Sequence, residues 1–330
     1  GPGGCRGGYS RPMLLSLNIR SIRELVSPKR GRAKVALTDV PRYTREELGL
    51  HGLTLTTDVL KGATREVLTG IRDSGDKSGC AVLALTEVEA QRFGDPSEAR
   101  GDAAVERALR VVEAASLLGC NSCGVSVIAK DSEEGFDLSV GRLRRVVERA
   151  ESLEINLLLS PCEGLTSEPE RLTELIKKVG GFRIGTLPDF EQAARQKDPA
   201  MYLKRLTPYA SVVNASTIEF TEAEAEPEGK GSKGKAKGAE PAVEEEDDDR
   251  PLTPEDLAAM LMEGDFEDLP DVPAPVHVGY ALEPLVEAVT AVGYDGTLSI
   301  EYRGAGDGTL GAMQSREALE AAIEAIAERK

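Results

Sequence analysis

The feature that most constrains this chain is a regular alternation of short β-type runs with helix-length amphipathic segments. Eight such apolar runs recur, and they are KVALTDV (34–40), GLTLTT (52–57), CAVLALT (80–86), CGVSVIA (123–129), INLLLS (155–160), FRIGTLP (182–188), SVVNAS (211–216) and GTLSIEY (296–302). The segments between them, such as 103–119, carry apolar residues at i, i+3, i+4 and i+7, which is the spacing of one buried helix face. Strands that alternate with helices in this way form a parallel sheet.

Eight strand–helix units over about 300 residues predict an α/β protein, a closed (β/α)₈ TIM barrel with eight parallel strands. A doubly wound open sheet is the alternative, but no GxGxxG sequence follows the first run, which argues against a dinucleotide-binding version. We assign the barrel to residues 13–220 and 276–330. We interpret residues 13–26 as an additional helix that covers the barrel, and residues 1–12 as a tag scar or a disordered N-terminal extension.

Residues 221–275 interrupt the alternation, since they are poor in aliphatic side chains and rich in charge. Lysines come first, and an acidic block follows from Glu244 to Asp249. Such a composition cannot bury enough apolar surface to order itself, so we predict a long, largely disordered, low-complexity insert after the seventh strand. A short amphipathic helix is expected near 254–262, with Thr253 as its N-cap. The insert is either a tolerated surface segment or a docking segment for a protein partner.

The overall composition limits the partners that the chain can have. Its net charge of −17 would repel a nucleic-acid backbone, so no nucleic-acid partner is expected. No apolar run reaches the roughly 18 residues of a membrane span, so no membrane partner is expected either. Five cysteines without regular spacing are typical of reduced thiols, and we therefore predict a cytoplasmic protein.

In a TIM barrel, the functional groups come from the C-terminal ends of the strands and from the loops that follow. Seven polar side chains stand at or after these exits, and they are Lys130, Ser160, Glu163, Asp189, Asn214, Glu301 and Arg303. If the barrel closes, the four at the ends of the last four strands, Ser160, Asp189, Asn214 and Glu301, should converge at one mouth of the barrel. Structural interpretations stand beside the functional ones: Asp189 could cap the next helix, and Glu301 with Arg303 could form a rim ion pair.

Several segments are together similar to one known family. RIGTLPDFEQA (183–193) resembles its sixth strand, which delivers an Asp, and LTPYASVVNAS (206–216) resembles its seventh. The most specific segment is LEPLVEAVTAVGYDGTLSIEYRG (282–304), a helix, a turn and a strand that ends in Glu. In this order and spacing, the segments resemble the xylose-isomerase-like barrels of the sugar phosphate isomerase/epimerase family. The likeness covers roughly residues 34–220 and 276–328.

This resemblance implies a site with one divalent metal, held by Glu, Asp, His and Glu side chains from the fifth to the eighth strands. Asp189 matches the Asp and Glu301 matches the last Glu, but Ser160 replaces the first Glu and Asn214 replaces the His. Oxygen donors can suit Mg²⁺, whereas Mn²⁺ would lose a favoured nitrogen ligand. We therefore expect Asp189, Glu301 and Asn214 to hold one divalent cation, Mg²⁺ or Mn²⁺, weakly or not at all.

Two functions follow from the resemblance. The first is a sugar or sugar-phosphate isomerase or epimerase with an atypical metal site, acting on a carbohydrate-like small molecule. Its predicted catalytic residues are Glu301, Asp189 and Glu163, and its predicted substrate-binding residues are Ser160, Asn214, Lys130 and Arg303. The alternative is a catalytically inactive barrel, a pseudoenzyme that binds a small molecule or a protein. A related apurinic endonuclease would need several histidines, whereas this chain has two.

Overall fold

The structure is a computed structural model that describes residues 13–221 and 274–329. Eight parallel strands form its main sheet, and they are β1 (Leu14–Asn18), β2 (Gly52–Thr56), β3 (Ala81–Thr86), β4 (Ser122–Ser126), β5 (Asn156–Ser160), β6 (Ile184–Thr186), β7 (Val212–Thr217) and β10 (Thr297–Tyr302). Two short antiparallel strands, β8 (Phe220–Thr221) and β9 (Val276–His277), form a separate hairpin.

The eight parallel strands curl into a barrel. Their order is β6-β5-β4-β3-β2-β1-β10-β7. Successive strands are therefore neighbours, and the last strand, β10, pairs with both β7 and β1. The two ends of this sheet meet through parallel bridges from Thr186 to Ala210 and from Asp189 to Asn214. The backbone N–H of Asn214 also donates to the Pro188 carbonyl at 2.8 Å. The predicted (β/α)₈ barrel is therefore confirmed.

Helices accompany the strands along the chain. They are α1 (Arg23–Val26), α2 (Val40–Leu48), α3 (Arg65–Ser78), α4 (Glu98–Leu118), α5 (Glu133–Ser152), α6 (Pro169–Val179), α7 (Phe190–Ala194), α8 (Pro199–Leu206), α9 (Leu282–Thr290) and α10 (Gly308–Glu328). Thr64 and Ser132 cap α3 and α5 by accepting backbone N–H groups, as short polar side chains do at helix starts. The apolar faces of these helices pack on the strands, as Ile71 of α3 and Val105 of α4 do, and both are fully buried.

The beginning of the barrel differs from the prediction. The predicted first strand at 34–40 is wrong, because Leu37–Asp39 forms a 3₁₀ turn and Val40 begins α2. Pro41 lies in the first turn of that helix, where its missing N–H costs nothing. The predicted helix over 13–26 is wrong in its first part, which forms β1 and pairs with β2 and β10, whereas Ile19–Ile22 forms a 3₁₀ turn and Arg23–Val26 forms α1. The run MLLSLN has no helical stripe, and its last three residues are buried.

The predicted insert and the N-terminal extension lie outside the described residues, apart from the boundary positions of the insert. This applies to residues 1–12, to 222–273 and to the helix expected near 254–262. The hairpin of β8 and β9 brings the two chain ends that flank the insert side by side, with Phe220 opposite His277. Among residues 13–221 and 274–329, no helix combines the length and the apolar character that a bilayer crossing requires.

Candidate active site

A cavity of about 220 Å³ opens at the C-terminal mouth of the barrel, and four of the predicted residues line it together. Ser160 ends β5, Asp189 follows β6, Asn214 lies in β7 and Glu301 lies in β10. Because the strands are parallel, their carboxyl ends meet at this one rim. The expected convergence of these four side chains is observed, and Arg303 joins them.

Two acids of the cavity are bridged by one guanidinium group. Asp189 and Glu301 are only 6% and 2% exposed. Arg303 donates from Nη2 to Asp189 Oδ2 at 2.6 Å and to Glu301 Oε2 at 3.1 Å, and from Nε to Glu301 Oε1 at 2.9 Å. Charge-assisted hydrogen bonds of this kind are the strong ones, and the planar guanidinium suits carboxylates. One positive charge of the protein itself is therefore shared by the two carboxylates.

Further contacts reinforce this charge arrangement. Arg303 Nη1 lies 2.5 Å from Glu191 Oε2, and Arg20 Nε lies 3.3 Å from Glu301 Oε1. Burial by itself lowers the pKa of Arg303, but the hydrogen bonds and charges of Glu301 and Asp189 outweigh burial and raise that pKa above its usual value. The guanidinium is thus a permanent cation in the position between the two acids.

The orientation of Asn214 follows from a chain of hydrogen bonds that starts at a backbone donor. The Arg20 N–H donates to Asn18 Oδ1 at 3.1 Å, so the Asn18 amide nitrogen is free to donate to Asn214 Oδ1 at 3.2 Å. The Asn214 nitrogen then points at the acids and donates to Asp189 Oδ2 at 2.7 Å and Glu301 Oε2 at 2.5 Å. Asn214 therefore turns a donor, and not an oxygen ligand, towards the acid pair.

This donor set does not fit the divalent metal that the family resemblance implies. The carboxylate oxygens face a guanidinium and an amide N–H₂, and a cation in their place would meet like charge from Arg303. Within the described part of the chain, no group of three or more His, Cys, Asp or Glu side chains is arranged to hold a metal ion. The oxygen ligands that Mg²⁺ requires would be available only if Arg303 and Asn214 both turned away.

Asp189 is held in place by its local structure as well. Its Oδ1 accepts the Gln192 N–H at 2.9 Å, so it caps α7, as the structural interpretation predicted. The Ser216 hydroxyl donates to the same oxygen at 3.1 Å and accepts the Glu191 N–H at 2.9 Å. Tyr280 in turn donates its hydroxyl to the Ser216 carbonyl. These contacts fix the carboxylate while leaving it at the cavity wall.

The segment that carries Tyr280 is fastened to the barrel by His277. The Ile218 N–H donates to His277 Nε2 at 2.8 Å, so the proton of the neutral ring lies on Nδ1, which donates to the Tyr280 carbonyl at 2.7 Å. Burial lowers the pKa of His277, against the opposing effect of its bond to Tyr280. The neutral ring thus connects the β8–β9 hairpin to Tyr280, which contacts Ser216, the residue that donates to Asp189.

Another part of the cavity wall is built from hydroxyl groups. Ser126 and Ser160 are partners in the β4–β5 register, and both line the cavity. Neither side chain takes part in a hydrogen bond with residues 13–221 or 274–329. Deeper in the barrel, the Ser299 hydroxyl donates to Thr54 Oγ1 at 3.0 Å. The cavity therefore offers two adjacent hydroxyl groups that a polar ligand could engage.

Glu87 is a third acid of the cavity lining, and it too is occupied. It is buried at the exit of β3, where it accepts Arg107 Nε at 2.5 Å and both the Thr57 hydroxyl and the Glu89 N–H at 3.0 Å. Each of its oxygens therefore has a protein partner. This carboxylate does not take the place of the glutamate that Ser160 replaces.

Two predicted residues are placed away from this cavity. Lys130 and Glu163 are exposed, and neither lines it. The reason for Lys130 is that β4 ends at Ser126, three residues earlier than the run CGVSVIA predicts. The sequence analysis also missed Asn18, which ends β1, and Arg20, which lies just after it. The signal was present in MLLSLN, an apolar run that ends in a polar residue like the other strands.

Comparison with known proteins decides the family. The family model described as xylose isomerase-like TIM barrel matches residues 46–328, which is most of the chain. The chain belongs to the xylose isomerase-like TIM barrel family. No curated protein matches this family member.

Solved structures agree with the fold of this xylose isomerase-like barrel. An L-ribulose 3-epimerase has a TM-score of 0.66 at 12% identity, with 96% of each chain covered. A D-tagatose 3-epimerase-like protein has a TM-score of 0.63 at 16% identity, covering 96% of this chain and 99% of that one. A xylose isomerase-like barrel from Mycobacterium smegmatis, solved in complex with magnesium, has a TM-score of 0.59 at 15% identity, covering 96% and 98%. At these identities the likeness establishes the fold alone.

Proposed function

We propose that this chain is a non-catalytic member of its family, a metal-independent barrel that binds a small carbohydrate-like molecule. The observation that carries the proposal is the bridge from Arg303 to Asp189 and Glu301. Metal-dependent isomerisation needs carboxylates free to bind a cation and to move protons. Here the same carboxylates are bound by a guanidinium that cannot give up its proton.

The rest of the cavity supports a small polar ligand. Its volume of about 220 Å³ lies below the roughly 300–1,000 Å³ of pockets for drug-sized molecules, so the ligand is small. The adjacent hydroxyl groups of Ser126 and Ser160 can donate to and accept from sugar hydroxyls. Leu187 and Val212 add apolar surface on the lining, which suits the C–H face of a sugar ring.

The second candidate is a metal-dependent sugar isomerase or epimerase. It is favoured by the position of Asp189 and Glu301 at the sixth and eighth strand exits, and by the magnesium in one structural neighbour. In this alternative, Arg303 would have to leave the acids before an ion binds. The two candidates therefore differ in whether the wild-type protein binds a divalent ion.

Titration calorimetry on EDTA-treated protein separates the candidates. We expect no binding of Mg²⁺ or Mn²⁺ in the low-millimolar range, and binding of D-fructose, used as a neutral probe, that is the same with and without EDTA. Ser160→Ala should weaken fructose binding, whereas Ser78→Ala, whose hydroxyl bonds only within α3, should not. Fructose binding that requires Mn²⁺, or epimerisation of the sugar seen by NMR, would refute the proposal in favour of the second candidate.

A further inference from the structure

A second opening adjoins the cavity and has a different charge. This side cleft, of about 570 Å³, lies between the β1 exit and the loop after β10, and it shares Arg20, Glu301 and Arg303 with the cavity. A ligand could therefore extend from the cavity into the cleft past these three side chains. The cleft is where a substituent on a cavity-bound ring would be placed.

The side cleft has a small excess of cationic over acidic side chains, in a protein that is acidic overall. Four cationic side chains line it against three acidic ones, although the whole chain has a net charge of −17; the cations are Arg20, Arg23, Lys34 and Arg303. Two of the cations are already paired with acids that do not line the cleft, Arg303 with Asp189 and Arg23 with Asp58. Two of the acids also have partners. Asp307 accepts the Thr309 and Leu310 N–H groups as the N-cap of α10, and Glu301 is held by Arg303.

Two of the cations retain unused donors. Arg20 has a half-exposed side chain (51%), and its one ion pair, with Glu301, is made through Nε at 3.3 Å. Its two terminal amino groups make no hydrogen bond within the described residues. Lys34 makes no ion pair with residues 13–221 or 274–329, and its backbone N–H donates to the Leu25 carbonyl at 2.7 Å, which fixes the chain at the cleft.

We infer that the side cleft binds the anionic group, a carboxylate or a phosphate, of a ligand whose polyol part occupies the cavity. The inference rests on the proposed function, since it assigns the rest of the ligand to the cavity. Arg20 would present its two free amino groups in the fork geometry that fits a carboxylate or phosphate edge. Lys34 would supply a second, more mobile positive charge at the rim of the cleft.

Titrations with D-gluconate, D-glucose 6-phosphate, D-glucose and inorganic phosphate, all in EDTA, test the inference. We expect at least one charged sugar to bind about ten-fold or more tightly than D-glucose, because hydrogen bonds to charged groups are the stronger ones. Comparison of gluconate with glucose 6-phosphate identifies the anion that is preferred. Added NaCl should weaken binding of the charged sugars alone.

Variants locate the effect in the side cleft. Lys34→Gln should weaken binding of the charged sugar about two- to five-fold, as expected for a partly solvated pair, and leave D-glucose binding unchanged. Arg20→Gln should weaken it about ten-fold or more. Lys29→Gln is the matched control, since this exposed lysine lies in the same connection but does not line the cleft.

The outcomes separate this inference from the proposed function. Equal binding of charged and neutral sugars, insensitive to Lys34→Gln, would overturn the inference and leave the neutral sugar site intact. Binding of inorganic phosphate that depends on Lys34, without binding of any sugar, would support the cleft as an anion site and refute the proposed function. If neither the sugars nor phosphate bind, both proposals are refuted.

Discussion

Replacement of Arg303 by Gln tests how far the acid pair depends on its guanidinium bridge. Asp189 Oδ2 and Glu301 Oε2 both accept from the same Asn214 nitrogen, at 2.7 and 2.5 Å, so these oxygens lie within about 5 Å of each other. Without Arg303, two carboxylates at that separation repel each other by about 3 kcal/mol at an effective dielectric constant of about 20. Removal of one partner of a buried ion pair costs a similar amount, about 3–5 kcal/mol.

We therefore expect Arg303→Gln to lower the free energy of unfolding at neutral pH by about 3 kcal/mol. At about 2–4 °C per kcal/mol, the unfolding midpoint should fall by about 6–12 °C. The variant should also respond to metal, because an ion then has to displace only the Asn214 amide nitrogen from the two acids. An ion present at about 100 times its Kd would return about 2.7 kcal/mol of stability.

Thermal unfolding followed by circular dichroism, in EDTA and in millimolar MgCl₂ or MnCl₂, measures both effects. The wild-type midpoint should not depend on the metal, while the midpoint of Arg303→Gln should rise with it. Arg145→Gln is the control, since it removes a surface pair with Asp102 at 2.6 Å and should cost no more than about 1 kcal/mol. An Arg303→Gln protein as stable as the wild type, and indifferent to metal, would refute the reasoning.

Three further predictions follow from the same structure. Ser160→Glu with Asn214→His restores the metal ligands that the family resemblance implies. Adding Arg303→Gln to this pair should tighten Mn²⁺ binding in a calorimetric titration. Equal affinities with and without Arg303 would show that the guanidinium does not compete with the ion. Burial lowers the pKa of His277, so the neutral ring contributes its full stability above the ordinary pKa of about 6.5 and loses that contribution as the pH falls below about 6.5. Urea unfolding should therefore show that the wild type loses stability below about pH 6.5 and that His277→Gln does not. Parallel pH profiles of the two proteins would contradict this. Deletion of residues 222–272 should leave the unfolding midpoint nearly unchanged, because β8 and β9 are already paired and a short turn can rejoin them; a large loss would show that the deleted segment stabilises the barrel.

The sequence predicted most of the barrel because the periodicity of its strands and helices is strong. Seven of the eight predicted strands lie within a few residues of their observed positions. The first failed because KVALTDV is apolar enough for a strand, yet the next residue, Pro41, can begin a helix. Composition alone could not tell which of the two apolar runs forms the first strand, because that depends on the pairing of β1 with β2 and β10.

The site was predictable where it depends on strand ends, and not where it depends on side-chain direction. Asp189, Asn214, Ser160 and Glu301 could be assigned because a parallel barrel brings successive strand exits to one rim. The role of Arg303 could not, since a rim ion pair with Glu301 was expected but its reach to Asp189, 114 positions earlier in the chain, is a tertiary contact.

In the proposed function, the guanidinium of Arg303 holds the place of a divalent ion between Asp189 and Glu301. Crystals of the wild-type protein soaked in MnCl₂ test it most directly, because manganese scatters anomalously and its position can be seen without refinement. We expect no anomalous peak between the two carboxylates, with Arg303 still bridging them. A peak bound by both acids, with Arg303 turned away, would contradict it.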